Sequence, residues 1–253
     1  MTGPRRPPRF AAVAAAALAL LSAVPAPVVA DGPGLTLVVM DPLAAPLSCP
    51  CVKGYAQRDY TKLATHLEKT LGRPVAVLFA ESLVTAVGTV GEGKSARADI
   101  VVGKRSVVAA EAARTNRRLE PVAALTDLEG RSTQRGLVVV RGDDAASAVA
   151  DLGGHRVILG PPHCDEKHAA ARALFADAGI TIADGGPLAE ACSDGAEEVI
   201  AAGTESPAAT VISSYAKPLL EGCGTIKRGD LKVVGETDRK STRLNSSHAN
   251  ISY

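Results

Sequence analysis

LTLVVMDP (residues 35–42), DYTKLATHLEKTLG (59–72), PVAVLFA (74–80) and ADIVVG (98–103) decide the fold. The first, third and fourth are short apolar runs of the kind that forms buried strands, and the second carries apolar residues at helical spacing. A loop holding Cys49 and Cys51 separates the first strand from the helix. Strand, helix, strand, helix, strand in this order predicts a parallel sheet with crossover helices, because parallel neighbours cannot be joined by a tight turn.

The same alternation continues outward from this core. Arg105 to Asn116 is predicted as a helix and Leu119 to Ala123 as a short strand, followed by a polar loop over Gly130 to Gln134. GLVVVR (136–141) is apolar throughout, as a strand covered on both faces must be. Asp143 and Asp144 are positioned to cap a short helix ending at Gly153-Gly154. Arg156 to Gly160 is a strand, Asp165 to Ala178 a helix stopped by Gly179, and Thr181 to Ala183 a strand. Asp194 to Ala202 is a helix, Thr210 to Ser213 a strand, Tyr215 to Glu221 a helix and Lys232 to Gly235 a last strand.

Both ends read differently from the middle. Arg5, Arg6 and Arg9 precede an Ala/Leu/Val-rich run from Phe10 to Val24, and Val28-Val29-Ala30 supplies small residues for cleavage before Asp31. Residues 1–30 are therefore expected to be a signal peptide, with the mature protein in the periplasm or secreted. The apolar run falls short of the roughly 20 residues that a spanning helix needs. At the other end, DRKSTRLNSSHANISY (238–253) shares no pattern with what precedes it. Its first part is the in-frame translation of a common sequencing-library adapter, so these residues are expected to lie outside the natural protein, which would continue past Thr237 with the rest of its first lobe.

Composition narrows the function. The chain has 46% hydrophobic residues, 3% aromatics, no Trp and a net charge of +1, which gives no electrostatic footing for nucleic acid. Nucleophile-elbow, HExxH, P-loop and GxGxxG patterns are absent from suitable contexts. Cys164 beside His163, Asp165 and His168 superficially offers nucleophile, base and orienter. Neighbours at a helix start point in different directions, so an enzyme is not expected.

Longer motifs carry a resemblance. The stretch from the 35–42 strand through DYTKLATHLEKTLGRPV to ADIVVG, then VVVRGDDAASAVADLGGHRVILG, HAAARALFADAGI and TVISSYAKPL, is similar in order and spacing to the phosphate/phosphite/phosphonate solute-binding proteins of ABC importers. That resemblance implies an α/β, two-lobed type II periplasmic binding protein, each lobe a mostly parallel sheet flanked by helices. Lobe 1 would span 31–135 and lobe 2 136–231, with 232–237 starting the return to lobe 1. It further implies a monomer that captures a small, anionic, phosphonate- or phosphite-like ligand for a permease. By the same resemblance, Tyr55 takes the place of a ligand-stacking aromatic and Glu81-Ser82 that of a polar contact. Lys104 lies in the ligand loop after the third strand, and Ser213, Ser214 and Tyr215 end a strand that reaches the cleft. One departure stands out: relatives place a Ser-Thr-Ser run where this chain has PPHCDEKH (161–168), whose carboxylates oppose a dianion at a helix start.

The cysteines leave alternatives open. In a doubly wound sheet, ligands sit outside the carboxyl ends of the strands. Cys49, Cys51, Cys164 and Cys192 follow strand regions and are expected on facing walls of one crevice, with His163 beside them. Disulfides suit an exported protein, Cys192–Cys223 being the long-range candidate. Cys49, Cys51, Cys164 and His163 would instead suit a soft metal ion, Zn or Cu, although no cofactor is required. A Cys49–Cys51 redox pair is the third reading. The last two would make the protein a cleft metal-binding or thiol redox module on the same fold, outside transport.

Overall fold

The computed structural model describes residues 34–48, 57–88, 97–126, 130, 132–237 and 247–251. The chain runs β1 (Leu35–Val39), α1 (Tyr60–Leu71), β2 (Val75–Phe79), α2 (Leu83–Gly88), β3 (Ile100–Lys104), α3 (Arg105–Arg114) and β4 (Glu120–Ala124). It continues β5 (Gly136–Arg141), β6 (Arg156–Ile158), α4 (Ala169–Asp177), α5 (Cys192–Ala201), β7 (Ala208–Ser213), α6 (Ala216–Gly222), β8 (Leu231–Glu236) and β9 (Ser247–Ile251).

The first sheet has the order β2-β1-β3-β9-β4, with β1 parallel to both β2 and β3. Side chains alternate across it. Leu37 and Val39 pack with Tyr60 and Ala64 of α1 on one face. Val38 and Met40 pack with α2 and α3 through Leu83, Ala86, Val108 and Ala112 on the other. Burial on both faces explains why β1 reads as unbroken apolar sequence. The α1 ends are written locally: the Asp59 carboxylate accepts from the Thr61 amide at 3.0 Å, and Gly72 closes the helix at φ 64°.

The second sheet, β6-β7-β5-β8, sandwiches the same way. Leu137 and Val139 face α5 and α6, while Val138 and Val140 face α4 around the fully buried Phe175. Its β6–β7 pair is parallel, whereas β5 is antiparallel to both β7 and β8.

Several local expectations change. Thr181 to Ala183 is not a strand; Gly179 and Gly185 turn the chain at φ 75° and 72°, and Leu188 alone bridges to Leu159 beside β6. The helix expected over Asp165 to Ala178 breaks at His168 (φ −123°, ψ −80°), leaving a 3-10 turn at Asp165–Lys167 and then α4. The short helix after Asp144 is a 3-10 turn, Val149–Leu152. The Asp151 carboxylate folds back onto the Ser147 and Ala148 amides at 2.8 and 2.9 Å. Finally, Ser247–Ile251, set aside from the fold in the sequence reading, lies between β3 and β4, antiparallel to each. Ladder bonds use backbone groups that every residue but Pro carries in full, and both pairings of this segment are of that kind.

Candidate functional site

A cavity of about 350 Å3 opens between the lobes at the carboxyl ends of their strands. From the first lobe come Met40 and Asp41 after β1, Glu81 after β2, and Gly103 and Lys104 at the end of β3. From the second come His163, Cys164 and Lys167 after β6, Cys192 at the start of α5, and Ser213 and Tyr215 around the end of β7. Placing ligand-facing residues at strand ends follows from the topology, since each crossover loop there is free of sheet pairing.

Lys104 joins the lobes. It ends β3, directly before α3, and its ammonium makes an ion pair with Glu166 of the 3-10 turn in the second lobe. The Glu166 side chain is fully buried, and Ser213 donates its hydroxyl proton to Oε1 at 2.8 Å. A buried carboxylate persists only when paired and hydrogen-bonded, and both conditions are met here. The backbone is arranged to fit it: a Cβ at residue 136 would stand 2.2 Å from the Glu166 carbonyl oxygen, so only glycine lets β5 start against this turn.

Lys167, the next residue, is 5% exposed. Its stem lies over Gly160, where a Cβ would come within 2.5 Å of the lysine Cβ, and the Lys167 carbonyl accepts from the Gly160 amide at 3.1 Å. The ammonium donates to the Glu190 carbonyl oxygen at 3.4 Å. Among the described residues no carboxylate lies within ion-pair distance of it. Buried lysines are rare without a counter-charge, which makes this group an open demand for an anion.

Asp41 forms the opposite wall. Its carboxylate accepts from the Leu43 amide at 3.0 Å, the Arg58 guanidinium at 2.9 Å and the Tyr60 hydroxyl at 2.5 Å. Burial, and then Asp41, push the Tyr60 phenol well above its usual range, so it stays a donor. Burial at the cleft likewise raises Tyr215, reinforced by Cys192, Glu166 and Asp41. For Cys164, burial raises the thiol more than Lys104 and Lys167 lower it, so it is held neutral and is a poor nucleophile.

Of the residues expected at the site, Lys104, His163, Cys164, Cys192 and Ser213 line the cavity. Ser82 does not; its hydroxyl accepts from the Thr85 amide at 3.0 Å and caps α2. Ser214 instead ties Arg135, donating its amide to the Arg135 carbonyl at 2.7 Å and accepting the Arg135 amide at 3.3 Å. Tyr55, Cys49 and Cys51 lie outside the described residues. The two described cleft sulfurs, Cys164 and Cys192, both belong to the second lobe rather than facing each other across the crevice. Cys192 and Cys223 are free thiols, so the disulfide considered for them is not formed. Each is engaged separately, Cys192 by the Ser213 amide at 3.4 Å and Cys223 by Thr225 Oγ1 at 3.1 Å. Among the described residues no group of three or more His, Cys, Asp or Glu is placed to hold a metal ion.

Asp41, next to Pro42, was not among the expected site residues, and Glu166 figured only as an unfavourable charge. The available signal was position: both follow strands at carboxyl ends. Its pairing with Lys104 is a long-range contact that no local pattern encodes.

Comparison with known proteins agrees with this architecture. The family model for the ABC transporter, phosphonate, periplasmic substrate-binding proteins matches residues 54–250. No curated protein matches the chain. Among solved structures, a binding protein component of an ABC phosphonate transporter from Pseudomonas aeruginosa is similar at 14% identity and TM-score 0.56, over 87% of this chain and 68% of that one. The periplasmic aliphatic sulphonate binding protein of Escherichia coli is similar at 13% identity and TM-score 0.56, over 87% and 65%. XAC2383 from Xanthomonas citri follows at 15% and 0.53, over 85% and 75%. At such identities the likeness speaks to the fold, the two-lobed type II binding protein. The family is one of transporter solute receptors rather than enzymes, and the chain belongs to it: it is a member of the ABC-transporter phosphonate periplasmic substrate-binding proteins.

Proposed function

We propose that the protein is exported, with residues 1–30 removed after Ala30, and captures a small anionic solute of phosphonate or phosphite type for an ABC permease. Mass spectrometry of the exported protein should find Asp31 at its N-terminus; intact Met1 there would refute that processing. One observation carries the ligand reading: Lys167 is almost fully buried at the cleft with no carboxylate within ion-pair distance among the described residues. Lys104 reaches the same cavity from the opposite lobe, so an anion between them is contacted by both, which favours lobe closure around it. The donors around them fit the same chemistry. The Tyr215 phenol stays protonated, and α5 opens on the cavity at Cys192, where its first amides and dipole favour negative charge.

Calorimetric titration of the purified protein with methylphosphonate and with phosphite tests the reading. Saturable binding of either supports it. Binding of neither, together with binding of an uncharged solute such as a sugar, would overturn it.

A further inference from the structure

The charged side chains that wall the cleft do not cancel. Among the described residues, Lys104 is paired with Glu166, and Asp41 with Arg58 at 2.9 Å. Lys167 meets the neutral Glu190 carbonyl oxygen. Away from the rim, where Glu81 and Glu190 are exposed, two ion pairs sum to zero and one ammonium is left over. We infer that the cleft selects a monoanion over a dianion, and that Glu166 is the positioning residue that sets this limit. The inference rests on the anion reading above and narrows it to one charge class.

Without Glu166, two buried ammoniums from facing lobes would suit a dianion such as a fully ionised phosphonate. With Glu166, the first negative charge of a ligand is met by Lys167, and a second finds Lys104 already neutralised. That second charge also stands near a carboxylate with no access to water, where like-charge repulsion is poorly screened. Glu81 and Glu190, exposed at the rim of the same cavity, add repulsion of the same sign. Ser213 reinforces the discrimination. Its single hydroxyl proton goes to Glu166 and its oxygen accepts from the Cys192 thiol at 3.9 Å, so it has no proton to offer another oxyanion oxygen. The turn that carries Glu166 is fixed by the glycine contact at residue 136, so the carboxylate cannot retreat by a backbone shift without disturbing β5.

Methanesulfonate and sulfate separate charge from shape, since both are small tetrahedral oxyanions and neither changes ionisation near neutral pH. Calorimetry on the purified wild-type protein at constant ionic strength should show methanesulfonate binding at least about tenfold tighter than sulfate. In Glu166→Gln, which keeps an acceptor for Ser213 and nearly the same volume, the affinity ratio should move about tenfold toward sulfate. A purely structural role for Glu166 would weaken both probes alike and leave the ratio in place. Wild-type protein that binds sulfate as tightly as methanesulfonate overturns the inference without any variant. So does an unmoved ratio in a Glu166→Gln protein that melts like wild type. Failure of both probes to bind a protein that still binds methylphosphonate overturns the charge limit alone, whereas failure of methylphosphonate and phosphite as well removes the anion reading and the charge limit with it.

Discussion

Replacing Lys104 by Met isolates the energetics of the contact between lobes. The substitution keeps the stem and deletes the ammonium, which leaves the fully buried Glu166 carboxylate with the Ser213 hydroxyl and no cation from Lys104. Removing one partner of a buried pair costs about 3–5 kcal/mol, and since the Lys104 side chain is 14% exposed the lower half of that range applies. A domain of this size loses about 2–4 °C of melting temperature per kcal/mol, so a drop of about 10 °C is expected by calorimetry or circular dichroism. The double variant Lys104→Met/Glu166→Gln removes the Glu166 charge as well and should recover most of the loss. The cycle then gives a coupling of about 2 kcal/mol or more between the two positions. Losses that simply add would show that the pair does not hold the lobes together, and the described network would lose its energetic basis.

Other expectations are more local. Gly136→Ala should lower stability by about 1–3 kcal/mol in thermal melts, because its Cβ would meet the Glu166 backbone at 2.2 Å; an unchanged melt would deny that approach. The Asp151 carboxylate is held below its ordinary range, first by the Ser147 amide and then by the Ser147 hydroxyl and the Ala148 amide. A depressed folded-state value means its stabilisation is present above the unfolded value of about 4 and is lost as pH falls through the folded one. Asp151→Asn should therefore be less stable than wild type at neutral pH, with the difference shrinking in acid. A gap that stays constant down the pH series would refute the linkage.

How far the sequence spoke for itself can be judged from particular residues. The β1–α1–β2 unit was legible because Leu37, Val38 and Val39 are buried on both faces and because Asp59 and Gly72 mark the ends of α1. The carboxyl-end rule pointed to Cys164 and Cys192 and the family resemblance to Lys104 and Ser213, and all four line one cavity. The resemblance also pointed to Ser82 and Ser214, which instead cap a helix and tie a loop, as a short polar side chain at a strand end can do as readily as face a ligand. Cysteines drew attention through their chemistry, yet the group that organises the cleft is Glu166. Its importance depends on Lys104, distant in sequence, and on Gly136 giving it room. Charge pairing between lobes is a property of the folded chain, and local spacing carries no trace of it.

Lys167→Met tests the central claim most directly, because it keeps the stem packed over Gly160 and removes only the ammonium. In a methylphosphonate titration of wild type and variant side by side, saturable binding to wild type is expected and an affinity at least about tenfold weaker in the variant, whose melting temperature should be no lower than that of wild type because a buried ammonium without a carboxylate partner is gone. Equal binding by the two proteins would contradict it.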